Sequence, residues 1–372
     1  MNKEKKSLMT NPAVWSLLAS LICIVLGLLI GFIVLLCIKP EGAVSAILVI
    51  IKNFLKYPSA KAAMKYFGST LVKAAPLLMC SLSVLFAYKA GLFNIGVAGQ
   101  YTLGAGLALY FALSLKCPWF ICIIMAILAG SLLGAISGIL KSYCNVNEVI
   151  SGIMLNWISV YSVNMLLTGV KEEASPYTKA IANTNKSALI PNLGLDKIFS
   201  NNSYVTIAIP LSVIMAVIVF IILDKTKLGY ELKATGLNKD AAAYAGMAQR
   251  RNTILTLMIG GALAGFGASM FYLTGYEQWS VTASSVPAMG FNGIAAAFLG
   301  GLNPIGSIFA SYFIQHITEG GVYVDKTMYC SQISDLISAI IIYLCGFVLF
   351  MKHIMSKAAK KNENKKNIKE EA

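Results

Sequence analysis

Val14 to Cys37 runs for 24 residues without one charged side chain, and a helix needs only about 20 apolar residues to cross the hydrocarbon of a bilayer. Runs of this kind recur almost to the C-terminal end. In lipid each must bond its own backbone, which for segments of this length means helices. Composition agrees: 57% of residues are hydrophobic and 12% charged, against roughly a quarter charged in soluble domains. The expected fold is therefore all-α and polytopic. No small-residue cleavage site follows the first run, and it is too long for a signal-peptide core, so it reads as a retained helix.

Other classes fit poorly. Cys23, Cys80, Cys122 and Cys345 lie in apolar spans, where cysteine behaves as a small hydrophobe. Cys117 and Cys330 both fall near the expected outer face, but no spacing supports a bridge between them. His316 and His353 have no ligand cluster around them, so no metal is expected. The net charge of +14 lacks the aromatic-interleaved groove of a nucleic-acid binder. It gathers instead at Lys3, Lys5 and Lys6 and in a Lys-rich tail, residues 352–372, which by the positive-inside tendency puts both termini in the cytoplasm.

An even number of crossings follows, and ten are expected between residues 14 and 351, after a cytoplasmic segment 1–13. After the first helix, Lys39 to Thr70 reads as an outer loop with an interfacial piece, Ala43–Leu55; its five lysines run against the positive-inside bias. The next spans are Leu71–Tyr88, Val97–Leu115, Trp119–Leu140, Glu148–Leu167 and Tyr204–Leu223. Gly130, Gly134 and Gly138 strip one face of the fourth span for close helix packing. Asn147 and Glu148 begin the fifth, where the plain role is capping. Asp224–Thr253 is the largest inner loop, and Ile254–Leu273, Val286–Gly300, Ile305–Ile317 and Ile333–Met351 complete the count. The short pair meeting at Gly301-Leu302-Asn303-Pro304 reads equally as a re-entrant hairpin.

Two stretches interrupt this apolar pattern. Ala90–Gly106, AGLFNIGVAGQYTLGAG, carries Asn94, Gln100 and five glycines. Ala288–Ser307 repeats the theme, with Phe291-Asn292 echoing Phe93-Asn94. Irregular backbone at membrane depth persists where protein or a watery cavity satisfies it, and a pair of such breaks in two halves points to a transport path. Asn94, Gln100, Asn156 and Asn292 are candidate polar wall residues, each equally able to bond helix to helix. Phe93, Tyr101, Trp157 and Phe291 are candidate flat surfaces for a ring-shaped solute, although packing is the commoner use of such residues.

The spans hold no proton relay or ion site of the kind a secondary transporter retains, and no phosphate-cradling Gly-x-x-x-x-Gly-Lys-Ser/Thr motif is present. Energy must then enter from outside the membrane. In the inner loop, Tyr230–Thr235 reads as a short helix stopped at Gly236. Asn238 is placed to cap a second, Lys239–Met247, whose Ala241, Ala242, Ala243 and Ala245 offer a low-relief face for docking.

Four blocks resemble a known family: AGLFNIGVAGQ, NEVISGIMLNWI (147–158), GYELKATGLNKDAAAYAGM (229–247) and GFNGIAAAFLGGLNPIGS (290–307). They are similar to permease subunits of bacterial nucleoside ABC importers, within the branched-chain amino-acid and ribose permease family. The resemblance implies two pseudo-symmetric halves and a multi-pass place in the cell membrane. The implied partners are a second homologous permease, a cytoplasmic ATPase with two nucleotide-binding cassettes that hydrolyses ATP, and an extracytoplasmic substrate-binding lipoprotein. This chain would bind no cofactor of its own. The 229–247 block matches the ATPase-contacting loop, which makes Glu231, Lys233, Gly236, Asn238, Asp240, Ala241, Ala242 and Gly246 candidate coupling residues. Ala98 departs from the acidic residue the family pattern leads one to expect before Gly99-Gln100. The alternatives are a sugar or branched-chain amino-acid permease of the same family, a self-contained secondary transporter, and an intramembrane hydrolase using Ser269 and His316.

Overall fold

The computed structural model describes residues 12–325, 327–329, 333–348, 350, 351, 353, 354 and 357. Cys330, with its conceivable bridge, the segment 1–11 and most of the Lys-rich tail lie outside the described residues. The described residues are almost wholly helical, and six helices are long and apolar enough to cross a membrane. The ten expected crossings are met to that extent. Two compact units are distinguished: one of described residues up to Asn53, Phe298–Gly301 and those from His316 onward, the other of Phe54–Ala297 with Leu302–Gln315.

In the first unit, α1 (Pro12–Ile38) is followed after one residue by α2 (Pro40–Lys52). The interfacial piece expected inside a loop is thus a helix, because Pro40 occupies its first turn, where no backbone N–H is needed, and Glu41 faces the positive end of the helix dipole. Asn53, with φ of 45°, ends α2. Its amide donates to the carbonyl of His316 at 3.0 Å, and the His316 ring lies 2.9 Å from the Ile51 carbonyl. α13 (Ile333–Cys345) packs against α1, with Ile341 over Gly27 and Ile337 over Gly31.

The second unit opens with α3 (Ala60–Lys89), which begins eleven residues before the expected Leu71. The sequence Ala-Lys-Ala-Ala-Met is strongly helix-forming and carries the helix through its own charges, so the expected loop shrinks to a few residues. Next come α4 (Val97–Leu113), α5 (Trp119–Cys144) and α6 (Glu148–Leu167). α5 outruns its expected end at Leu140 until Asn145, in a left-handed conformation, stops it. α6 matches its expected bounds, and Asn147 caps it by accepting the Val149 N–H at 2.8 Å.

After an irregular segment, α7 (Ala208–Lys225) leads into α8 (Lys227–Leu237), α9 (Lys239–Tyr244) and α10 (Gln249–Tyr272). The stop expected at Gly236 is absent, and α8 runs through it by one residue; α9 ends three residues before the expected Met247. α11 (Ala288–Leu299) and α12 (Pro304–Gly321) follow. With 12 residues, α11 measures about 18 Å, short of the roughly 30 Å hydrocarbon core, and α12, with 18, about 27 Å.

α3 and α10 form the interior of this unit. Their apolar windows are 89% and 72% buried, whereas those of α6 and α7 are 33% and 28% buried and turn rows of Ile, Val and Met outward. Rows of that kind suit lipid. The expected glycine face of α5 meets α10: Gly130 lies against the backbone of Gly261, Gly134 against Leu257, and a Cβ on Gly138 would sit 2.8 Å from the Ile254 Cα. Bare backbone at these positions lets the two axes close, which is how membrane helices gain dispersion energy without a hydrophobic driving force. Cys80 and Cys122 are buried in this packing and carry free thiols.

Candidate functional site

α3 ends with two bonds that reverse the chain. Gly91 N–H donates to the Tyr88 carbonyl and Leu92 N–H to the Ala87 carbonyl, each at 3.0 Å, with Gly91 at φ of 72°. This is a Schellman ending, and its usual apolar contact is present where Ala87, Leu92 and Leu257 cluster. Residues 92–96 then pass irregularly into α4, whose first-turn N–H groups have no partners within the helix.

Three amide side chains gather at that break. Asn94 Nδ2 donates to Gln100 Oε1 at 2.8 Å and to Ser83 Oγ at 3.1 Å, while Gln100 Nε2 donates back to Asn94 Oδ1 at 3.2 Å. Asn156 reaches across from α6: its Oδ1 accepts the Gly99 N–H at 2.7 Å and its Nδ2 donates to the Ile95 carbonyl at 3.1 Å. Asn94, Gln100 and Asn156 are 3%, 1% and 2% exposed. In this conformation Asn94 and Gln100 bond one another and Ser83 of α3, and Asn156 of α6 serves the broken backbone, so the amides tie segment to segment, the second of the two uses open to them.

The second interruption meets the first. A Cβ on Gly290 would fall 2.6 Å from that of Ala98, and one on Gly293 would fall 2.6 Å from that of Cys80. Ala98 is fully buried in this contact. Ala98 and Gly290 thus bring α4 and α11 into close contact. Phe291 is 39% exposed beside this junction, and Asn292 and Phe93 are half-buried. Tyr101 is fully buried, with its ring 6.3 Å from Tyr272. Trp157 stands apart from Asn156, 42% exposed and stacked on Tyr161 at 6.2 Å. Ser83 was missed by sequence reasoning, since a single serine in an apolar run carries no signal of what it will face.

The loop after α7 is ordered from its start. Thr226 caps α8 by accepting the Gly229 N–H at 3.2 Å, Lys233 pairs with Asp224 at 2.7 Å, and Glu231 lies 3.7 Å from Lys227. Leu232 is fully buried, and Asn252 of α10 donates to Thr235 at 3.0 Å. Asn238 caps α9 by accepting the Ala241 N–H at 3.0 Å, as its position implied. Gly246, at φ of 79°, releases the chain toward α10.

Three of the four alanines expected on a low-relief face are outward. Ala242 turns inward and is buried, whereas Asp240, Ala241 and Ala243 are exposed, and the largest outward side chains are Leu237 and Tyr244, 89% and 95% exposed. Of the four alanines read as that face, Ala241, Ala243 and Ala245 are exposed and Ala242 alone is held against the unit. The ends of α5 and α6 lie at this same end of the unit: Lys141 pairs with Glu148 at 2.7 Å, and Ser142 Oγ donates to the Arg250 carbonyl at 3.3 Å. At the opposite end, Leu109, Thr178, Lys179, Tyr276, Glu277 and Gln278 line a cavity that none of the expected site residues enters.

Helices joined through glycine faces, two interrupted segments in contact and a structured loop at one end make up a polytopic helical membrane protein. Residues 66–346 match the family model described as branched-chain amino acid transport system / permease component, and the chain belongs to that family. It is 32% identical over 353 residues to the guanosine ABC transporter permease protein NupP of Bacillus subtilis, covering 94% of this chain and 98% of that one. To the nucleoside ABC transporter permease protein NupB of Lactococcus lactis it is 33% identical over 368 residues, covering 94% and 95%. A second Bacillus subtilis protein, the guanosine ABC transporter permease protein NupQ, is 28% identical over 255 residues, covering 66% and 78%. No solved structure matches. The chain is a multi-pass membrane protein of the plasma membrane.

Proposed function

We propose that this chain is one of two permease subunits in an ATP-binding-cassette importer and forms part of the passage for nucleosides. The observation that carries this reading is near full-length likeness to two proteins named as guanosine and nucleoside permeases. Likeness to both NupP and NupQ, from one organism, supports a pair of different permeases. An extracytoplasmic lipoprotein would capture solute and a cytoplasmic ATPase with two cassettes would drive the cycle.

In this reading the end bearing α8 and α9 faces the cytoplasm, with both termini on that side and about ten crossing or re-entrant segments in two related halves. Basic residues of the 224–253 loop support the orientation. Leu237 and Tyr244, with Asp240 and Ala241 between them, would seat the ATPase: two large apolar side chains exposed at a water-facing loop suit a buried contact. The Asn94–Gln100 pair, Asn156 and the Ala98–Gly290 contact would form the closed wall of the path. Asn292, Phe93, Phe291, Tyr101 and Trp157 would meet solute only as these elements part, and Glu231, Lys233, Asn238 and Gly246 would keep the coupling helices in shape.

Ser269 Oγ donates to the Phe266 carbonyl at 2.7 Å within its own helix. The test of substrate is uptake of labelled guanosine by proteoliposomes holding the full complex, with ribose, glucose and leucine as competitors. Competition by other nucleosides alone is expected, and competition by a sugar or by leucine would redirect the assignment.

A further inference from the structure

α8 is clamped on the side facing the bundle and meets the α3–α4 turn backbone to backbone. A Cβ on Gly236 would lie 2.5 Å from the Ala90 carbonyl carbon and 2.6 Å from the Gly91 nitrogen, and one on Gly91 would lie 2.7 Å from the Gly236 Cα. Neither position has room for a methyl group, and the positive φ of Gly91 strains any larger residue there as well. The flanks of α8 are fixed too: Gly229 lies against the carbonyls of Ile222 and Leu223, Leu232 is fully buried, and Thr235 accepts from Asn252.

We propose that the Gly236–Gly91 contact is the bearing through which movement of α8 reaches the interrupted segment, making Gly236 a positioning residue for opening the path. Side chains at such a contact would rotate and absorb a displacement of a few tenths of an ångström. Two backbones in contact pass it on. The turn that receives it is short and doubly bonded at Gly91 and Leu92, and its far end is Asn94 and Ile95, the partners of Gln100 and Asn156. A push on α8 thus bears on the groups that hold α4 to α6, whereas Leu237 at the end of α8 and Tyr244 at the end of α9, both turned outward, are the surface that takes the push.

The inference rests on the ATP-driven reading above, and its test separates the two. Gly236→Ala favours helix α8 by propensity while forcing it away from the turn, and Gly169→Ala, with nothing within 4 Å of the added methyl, is the control. In the complete complex in proteoliposomes, Gly236→Ala is expected to assemble and to hydrolyse ATP within about twofold of the parent, with nucleoside uptake per ATP reduced at least about tenfold. Parental uptake per ATP in that variant overturns the bearing. Should Gly236→Ala fail to assemble, Thr235→Val decides: it frees α8 from Asn252 and is expected to lower uptake per ATP at least about threefold, with Thr235→Ser restoring it. Equal coupling in the Val and Ser variants overturns the proposal. Absence of any ATP-dependent uptake by the unaltered complex would instead remove the functional reading beneath it.

Discussion

Asn156→Ala is the substitution whose cost follows most directly from the geometry. The side chain makes two bonds, to the Gly99 N–H at 2.7 Å and to the Ile95 carbonyl at 3.1 Å. One partner, the Ile95 carbonyl, lies in the break before α4 and the other, the Gly99 N–H, in the first turn of α4, and Gly96 and Gly99 are buried. Truncation strands a donor and an acceptor that lipid cannot satisfy. Hydrogen bonds between membrane helices contribute on the order of 1 kcal/mol each, so losing both is expected to cost about 2 kcal/mol, roughly a thirtyfold fall in the folded-to-unfolded ratio. Equilibrium unfolding in mixed micelles titrated with denaturing detergent measures it. Trp157→Ala, one residue along on the exposed face, is the comparison and is expected to fall within about 0.5 kcal/mol of the parent. Equal stability of the two variants would refute the assignment of Asn156 as the outside cap of α4.

The reciprocal amide pair makes a double-mutant cycle informative: Asn94→Ala and Gln100→Ala together should cost about 1 kcal/mol less than the sum of the singles, and strict additivity would mean the pair does not form. Gly130→Leu should be among the most damaging single changes, by about 3 kcal/mol or more, because its side chain would enter the backbone of α10 at Gly261; purified yield and thermal midpoint would report it, and parental values would refute the packing. Leu237→Ser with Tyr244→Ser should leave the unfolding midpoint within about 1 °C yet reduce co-purification of the ATPase at least about tenfold, whereas undiminished co-purification would remove these two side chains from the docking surface.

Much of the architecture could be read from hydrophobic runs, because in lipid the burial pattern and the backbone's own bonding point to the same answer. α6, from Glu148 to Leu167, matches its expected bounds, since Asn147 and an apolar run both mark its start. The early start of α3 was not legible: lysines at 61 and 65 read as loop, yet each turns its long side chain outward from a helix that alanine favours. Nor could the direction of the amides be read. Asn94, Gln100 and Asn156 stood out as polar groups in an apolar context, but whether they face a cavity or one another depends on which helices adjoin, and no local pattern encodes that. Gly236 illustrates the same limit, taken by propensity for a helix stop when its missing side chain serves an approach by Ala90 and Gly91, about 145 positions earlier in the chain.

The central claim is that this chain shapes a passage whose driving force comes from a partner. Accumulation of labelled guanosine in proteoliposomes tests it when followed with the full complex, with the complex lacking ATP, and with this chain alone. Uptake against a gradient only in the first is expected; accumulation by the isolated chain, or by the complex without ATP, would contradict the account.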